Sequence, residues 1–280
     1  MKYKILTDSG CDLPEKKIKA FDIIPMSLNV DGKFYKDTID LKKQKFYSLL
    51  ENARSFPGSA APSPYDYIEK ISESDKNIFI MTISSALSSS YNNACLSRKQ
   101  FIERISEKTG KFIHVFDSLN ASIGQGLILL KLKELIDSKL TRGEIIVSLN
   151  KYIQETNSFF VLEKMDNLIN SGRINKVLGK IASTLNIKLI LKKTEHGEIA
   201  LYDKVRGAKK AFNRLLDIIG QNGRNLEDKI LGIAHYNCLE KAEYFKEKAK
   251  EIYPFKDIII TNMGPTIATY AAEGALLISF

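Results

Sequence analysis

Cysteine is scarce and scattered in this chain. Cys11, Cys95 and Cys238 stand far apart with no C-x-x-C pair, which excludes a disulfide framework and a cysteine-based zinc site and fits a reducing cytoplasm. Histidine is as rare. His114 falls inside a strand-like run, His196 in a turn and His235 just past a strand end, so only His235 is worth testing as an acid or base. The chain lacks G-x-S-x-G, a P-loop, H-E-x-x-H and G-x-G-x-x-G, and with them the best-marked routes to hydrolase, nucleotide and zinc chemistry. No apolar stretch approaches the roughly 18 residues of a membrane span. Met1-Lys2-Tyr3-Lys4 opens onto a short strand and not a signal-peptide core, so the expected location is the cytoplasm. An internal repeat and a low-complexity linker are also missing.

The chain does have an excess of positive charge, formally +9. The lysines alternate with glutamates along helices, as in Glu240-Lys241 through Glu247-Lys248, which describes a solvated surface and no nucleic-acid site. A hydrophobic content of 44% beside 27% charged residues is that of a globular protein. At 280 residues a single core stops growing, and two lobes with a cleft between them are expected.

Short apolar runs alternate with helical periodicity. Strands are predicted at Lys4–Thr7, Ile23–Val30, Ile78–Thr82 and Phe112–Phe116, with helices at Leu41–Ala53, Tyr65–Ser72 and Tyr91–Glu107 between them. Asp31-Gly32 reads as a hairpin turn. Ala121–Leu140 carries an apolar stripe at Ile128, Leu129, Leu132, Leu135 and Ile136, read as packing against the sheet, and Thr141 opens a further helix to Gln154. From Ser158 come a strand, two helical segments around Gly172-Arg173, and a hairpin of Ile187–Lys192 with Ile199–Tyr202. Helices at Ala208–Ile219 and Glu240–Ile252 then alternate with strands at Ile230–Ala234, Asp257–Thr261 and the apolar end at Phe280. The fold class is therefore α/β in two lobes, residues 1–157 with a mostly parallel sheet covered by helices on both faces and residues 158–280 with a smaller mixed sheet.

The strand Ile78–Ile83 runs into Ser84-Ser85-Ala86-Leu87-Ser88-Ser89-Ser90 and then a helix. Backbone N–H groups, serine hydroxyls and the positive end of a helix dipole meet there, which makes an anion cradle, although Ser88 or Ser90 can equally serve as a plain helix cap. A second small-residue turn lies at Gly58-Ser59-Ala60-Ala61-Pro62-Ser63-Pro64.

Taken with Thr7-Asp8-Ser9, Phe116-Asp117-Ser118 and Ser171-Gly172-Arg173-Ile174, these turns make the chain resemble the DegV family of two-domain lipid-binding proteins, which includes the fatty-acid-carrying subunits of bacterial fatty acid kinases. The corresponding family patterns are T-D-S-x-x-D-L, T-S-Q-P, S-S-x-L-S-G-T, F/I-D-S and G-G-R-I, and their matches run in family order along the whole chain.

The resemblance implies a carrier and not an enzyme in its own right. It would bind one long-chain fatty acid such as palmitate, stearate or oleate in an apolar tunnel at the lobe junction, with no metal or nucleotide cofactor. It would present the carboxylate to a separate kinase for acyl phosphate formation, and touch membranes only transiently. By the same resemblance the carboxylate site falls on Ser59 and Ala60 of the first turn and on Ser88 and Ser89 of the second. The family's late histidine is replaced by Tyr270, whose phenol is also a donor, and Ala60-Ala61 and Ser89-Ser90 depart from the family's Ser-Gln and Gly-Thr. Arg206 matches the arginine that faces the partner and the phosphoryl group, whereas Arg173 reads as a structural pairing between lobes. The alternative is a stand-alone hydrolase or transferase using Asp8 and Asp117 at the strand-end crevice, although both read better as loop caps bonded to backbone N–H groups.

Overall fold

The computed structural model describes residues 3–38, 40–74, 77–103, 110–174 and 186–280. Its first sheet is wholly parallel. Strands β1 (Tyr3–Asp8), β2 (Asp22–Ile24), β6 (Asn77–Thr82) and β7 (Ile113–Asp117) lie in the order β2-β1-β6-β7, and helix α1 (Glu15–Ile18) lies between β1 and β2 in sequence. Both faces of this sheet are covered, which is why Ile78-Phe79-Ile80-Met81 is an unbroken apolar run and not an alternating one. Ile78 and Ile80 join Leu6 in a core shared with α3 (Pro64–Ser72) and α4 (Ser90–Phe101). Phe79 and Met81 face the other way, into a core with α5 (Ser122–Asp137) and α6 (Arg142–Glu155). Helices α3 and α6 both begin with capping boxes, Ser63 with Asp66 and Thr141 with Glu144.

The second sheet is mixed and has the order β10-β9-β8-β13-β11-β12. It is built from β8 (Ser158–Val161), β9 (Ile187–Lys193), β10 (Ile199–Arg206), β11 (Ile230–His235), β12 (Asp257–Asn262) and β13 (Leu276–Ser279). Only β11 and β12 are parallel within it. One face is covered by α8 (Ala208–Asn222) and α9 (Leu239–Ile252), whose Leu215, Ile219 and Phe245 pack on Val161, Ile233 and Ile278. A short helix α7 (Asp166–Asn170) follows β8 in sequence.

The predicted strand at Ile23–Val30 is in fact two strands in different sheets. Pro25 offers no N–H to a ladder, and after it the chain leaves β2 to form β3 (Ser27–Val30) of a small antiparallel sheet with β4 (Lys33–Lys36) and β5 (Gly58–Ala60). The β3–β4 turn is the predicted Asp31-Gly32 pair, with φ of 49° and 78°, the left-handed geometry that a two-residue hairpin requires. Leu28 and Val30 pack on Phe46 of α2 (Lys43–Glu51).

The stripe on α5 is also wider than its sequence predicted. This helix is buried nearly all round in its first half, because it packs against β6 of the first sheet on one side and β11 and β13 of the second on the other. Close approach to β11 depends on Gly232, where a Cβ would overlap Ile123 and press on Leu127. The helix predicted through Glu107 is described as far as residue 103, and the second helical segment after Gly172 falls outside the described residues.

Gly232→Ala is expected to destabilise the protein by about 2 kcal/mol, the usual cost of overpacking a tight core. Chemical denaturation followed by circular dichroism measures it, and a midpoint equal to wild type would mean that α5 shifts freely.

Candidate functional site

A cavity of about 420 Å³ lies where α4, α5, the small sheet and the second sheet converge. That volume is within the roughly 300–1,000 Å³ range of small-molecule sites. One wall is apolar, with Phe160, Leu162, Ile199 and Leu277 from the second sheet facing Ile83 and Leu119. Polar groups gather elsewhere on the lining, on Ser59, Ser88, Ser89, Asn93 and Tyr270.

Ser59 and Ala60 belong to β5, the edge strand that pairs with Leu28 and Ser27. The N–H of Ser59 donates to the Tyr270 hydroxyl at 3.0 Å, and the Ser59 and Tyr270 hydroxyls are 2.7 Å apart. Tyr270 follows the short helix α10 (Pro265–Ala268), and its ring lies under the Arg173 guanidinium at 5.6 Å. Arg173 is held by two carbonyls, donating from Nε to Leu87 at 3.3 Å and from Nη1 to Ser171 at 2.6 Å.

Ser88 and Ser89 lie at the start of α4. The Ser88 hydroxyl accepts the Ser90 N–H at 3.3 Å and lines the cavity as well, while the N-cap position falls to Ser89, whose side chain makes no capping bond, so neither Ser88 nor Ser90 is the plain helix cap. The two hydroxyl turns are tied together by Asn93, whose side-chain amide donates to the Pro62 carbonyl at 2.8 Å. Beneath them, the fully buried Asp8 accepts from Ser90 Oγ at 2.5 Å, Ile83 N at 2.9 Å, Gln125 Nε2 at 3.0 Å and Gly10 N at 3.1 Å. Burial pushes its carboxyl upward, and these bonds work against the rise.

Two further buried carboxylates support the opposite rim. Asp12 accepts from Ser122 Oγ and Gly264 N, both at 2.5 Å, and Asp37 accepts from Thr266 N at 3.0 Å and Thr266 Oγ1 at 2.5 Å. Ser122 and Thr266 line the cavity. Desolvation raises Asp12 to about 6, while the Lys43 charge restrains the shift and Asp37 adds to it.

All five residues expected at the carboxylate, Ser59, Ala60, Ser88, Ser89 and Tyr270, line this one cavity. Arg206 does not. It ends β10 on an exposed surface, just before the Gly207 cap of α8. Arg173 bonds to the Leu87 carbonyl, and it also stands on the cavity lining, which its sequence did not reveal. Lys193 was not anticipated either, although Leu189, Leu191 and Lys193 alternate along β9 and so share a face. Burial lowers its ammonium to about 8 against the pull of Asp117.

Asp8 and Asp117 behave as loop caps. Asp117 accepts from Ser85 N at 3.1 Å and Leu119 N at 2.9 Å, and Asp8 is sealed from solvent. His235 is buried and its Nδ1 accepts the Cys238 N–H at 3.3 Å, away from the cavity. Among the described residues no cluster of acidic, histidine or cysteine side chains is suited to a metal, and no helix is long and apolar enough to cross a membrane.

The family model described as an uncharacterised protein of the DegV family matches residues 2–280. The chain belongs to the DegV family. A DegV domain-containing protein of Streptococcus pyogenes serotype M18 is 33% identical over 284 residues, covering 100% of this chain and 99% of the relative. A DegV family protein of Ruminococcus gnavus, refined with vaccenic acid, superposes with a TM-score of 0.91 at 31% identity over 99% of both chains. The fatty acid kinase B3 protein of Streptococcus pneumoniae, loaded with linoleic acid, gives a TM-score of 0.89 at 31% identity over 100% of this chain and 99% of its own.

The pH dependence of stability follows from Asp12, whose carboxyl is at about 6 when folded against an ordinary 3.8. A raised carboxyl contributes its stability fully below the unfolded value and loses it as pH climbs through the folded one. Wild type should therefore lose on the order of 3 kcal/mol relative to Asp12→Asn between about pH 4 and pH 7. Urea denaturation of both proteins across that range checks it, and a constant gap would mean that Asp12 is ionised throughout.

Proposed function

We propose that this DegV family protein binds one long-chain fatty acid in the cavity and presents its carboxylate to a separate kinase for acyl phosphate formation. The observation that carries this reading is the shape of the cavity's chemistry. An apolar wall shares one space with neutral polar groups at Ser59, Ser88, Ser89 and Tyr270. An unpaired buried carboxylate is costly, so the head group needs such donors, yet a strong ion pair would hold it back from reaction. The fatty acids bound by the Ruminococcus and pneumococcal relatives support the same ligand class. Dividing the chain at residues 157 and 158 puts the cavity at the junction of its two parts.

In this reading the Ser59–Tyr270 pair is the resting form of the head-group site. The acid's oxygen inserts beside a hydroxyl pair that is already oriented, and Ser88 completes the set from the other turn. Arg173, at the cavity lining and over the Tyr270 ring, is a cation on which a developing phosphoryl charge would draw. Arg206 lies outside the cavity and is assigned to partner contact. The hydrolase alternative is disfavoured because Asp8 is buried off the cavity lining and each of its oxygens already accepts two hydrogen bonds.

Protein purified from its native host should carry close to one fatty acid per chain, read by mass spectrometry of an organic extract. Tyr270→Phe should weaken retention by roughly 1–3 kcal/mol, the range for a lost hydrogen bond to a charged group, and Ser59→Ala with Ser88→Ala by a comparable amount. Competition with a fluorescent fatty acid measures both, and unchanged affinity in all of them would move the head group elsewhere. Arg206→Ala should retain its acid but fail as a substrate for phosphorylation by the cognate kinase. Loss of the acid from that variant would contradict the division of roles.

A further inference from the structure

A second pocket of about 360 Å³ lies at the edge of the first sheet, where β7 runs between Tyr91 of α4 and Asn150, Ile153 and Gln154 of α6. Leu119 lines both this outer pocket and the acid cavity. Lys193 spans the same partition. Its side chain lines the acid cavity, while its ammonium donates to the Ile153 carbonyl at 3.1 Å and its charge is favoured by Asp117. Ile153 and Asp117 both line the outer pocket, so the two spaces share a wall. On the inner side Ile83 stands with Leu119, and on the outer side the buried Val115 and Phe116 lie behind a rim of His114, Asn150 and Gln154. Asn150 and Gln154 are exposed, which opens the outer pocket to solvent.

Leu119 is held in a backbone conformation that leucine avoids. Its φ of 49° lies in the left-handed region, where a Cβ crowds the following carbonyl. The turn around it is fixed from several directions. Asp117 Oδ1 accepts the Leu119 N–H at 2.9 Å, Ser118 Oγ accepts the Asn120 N–H at 3.1 Å, and the Asn120 carbonyl accepts the Ser84 N–H at 2.8 Å. Gly197 closes in as well, so near that a Cβ on it would stand 3.0 Å from Leu119 Cα. Glycine would adopt this turn without strain. A branched apolar side chain at such a point is unneeded by the backbone, and strain of this kind gathers where a side chain serves a ligand.

We propose that Leu119 is the end wall that sets the longest acyl chain the cavity accepts, and that it seals the tail from the solvent-open pocket behind. Without its side chain the two spaces join, and an acid longer than the inner cavity lays its last methylenes against Val115, Phe116 and Ile153. Ser59, Ser88 and Tyr270 belong to other elements and are untouched by the change. Length preference therefore moves while the head-group contacts stay. The proposal rests on the fatty-acid reading and adds to it the residue that measures the chain.

The test is competition of myristate, palmitate, stearate, arachidate and behenate against a fluorescent fatty acid on the full-length protein. Wild-type affinity should climb along this series to a maximum and then fall, at the first acid whose tail meets the wall. Leu119→Gly should move the maximum to a longer acid and hold behenate about tenfold more tightly than wild type, since each methylene taken out of water multiplies affinity about fourfold. Asn150→Trp, added to Leu119→Gly, should fill the outer pocket and return the maximum to the wild-type acid. Leu119→Phe thickens the wall and should move the maximum to a shorter acid, a reverse test that holds even if the glycine variant does not fold. An unchanged rank order in the Leu119 variants would overturn the wall. A uniform loss of affinity for every acid would assign Leu119 to the stability of its turn and overturn it too, and a shift that Asn150→Trp leaves in place would put the longer tail outside the second pocket. Wild type that binds none of the series would instead overturn the fatty-acid reading on which the wall depends.

Discussion

Four donors converge on the buried Asp8 carboxylate, and they come from four separate places in the chain: Gly10 after β1, Ile83 after β6, Ser90 at the start of α4 and Gln125 in the first turns of α5. Removing such a group from water is expensive, and each charge-assisted bond returns only about 1.5–3 kcal/mol, so all four must form together or the arrangement fails. Their geometry fixes where the serine turn leaves the first sheet. Tyr67 extends the network, its hydroxyl 2.8 Å from Ser90 Oγ, and so ties α3 to the same point. The hydroxyls that line the cavity are thus held from below by a charge that never reaches it.

That separation suits the chemistry. Apart from Arg173, Lys193 and Glu198 the polar groups on the cavity lining are neutral, and several are positioned by buried carboxylates one layer behind: Asp8 under Ser88 and Ser90, Asp12 under Ser122, Asp37 under Thr266. The hydroxyls of Ser90, Ser122 and Thr266 give their protons to those carboxylates. Burial makes the supports sensitive to protonation, most plainly at Asp12, raised to about 6.

Much of this was legible in the sequence. The unbroken run Ile78–Met81 announced a strand covered on both faces, Thr141 with Glu144 announced a helix start, and Asp31-Gly32 announced its hairpin. The serine turns and Tyr270 could be named as companions because family order placed them so, and they line one cavity. What stayed hidden depends on tertiary partners. Nothing local says that α5 will be gripped by two sheets, since an apolar stripe looks the same whether its remaining faces meet solvent or small residues such as Gly232. Pro25 lies inside the run read as one strand, and periodicity alone could not assign β3 to a sheet of its own. Arg173 and Lys193 are cavity residues only because distant strands bring a wall to them.

The small sheet β4-β3-β5 pairs with neither of the larger sheets. It is attached instead through side-chain bonds, from Ser59 of its own edge strand to Tyr270 and from the segments and helix flanking it: Met26 N to Ser9 Oγ, Lys43 Nζ to the Asn262 carbonyl, Tyr47 Oη to the Met263 carbonyl and Asp37 to Thr266. A part joined in this way can change its loop lengths and its outward residues without shifting the register of any strand in the main body. Variation at this edge of the molecule is thereby uncoupled from preservation of its core.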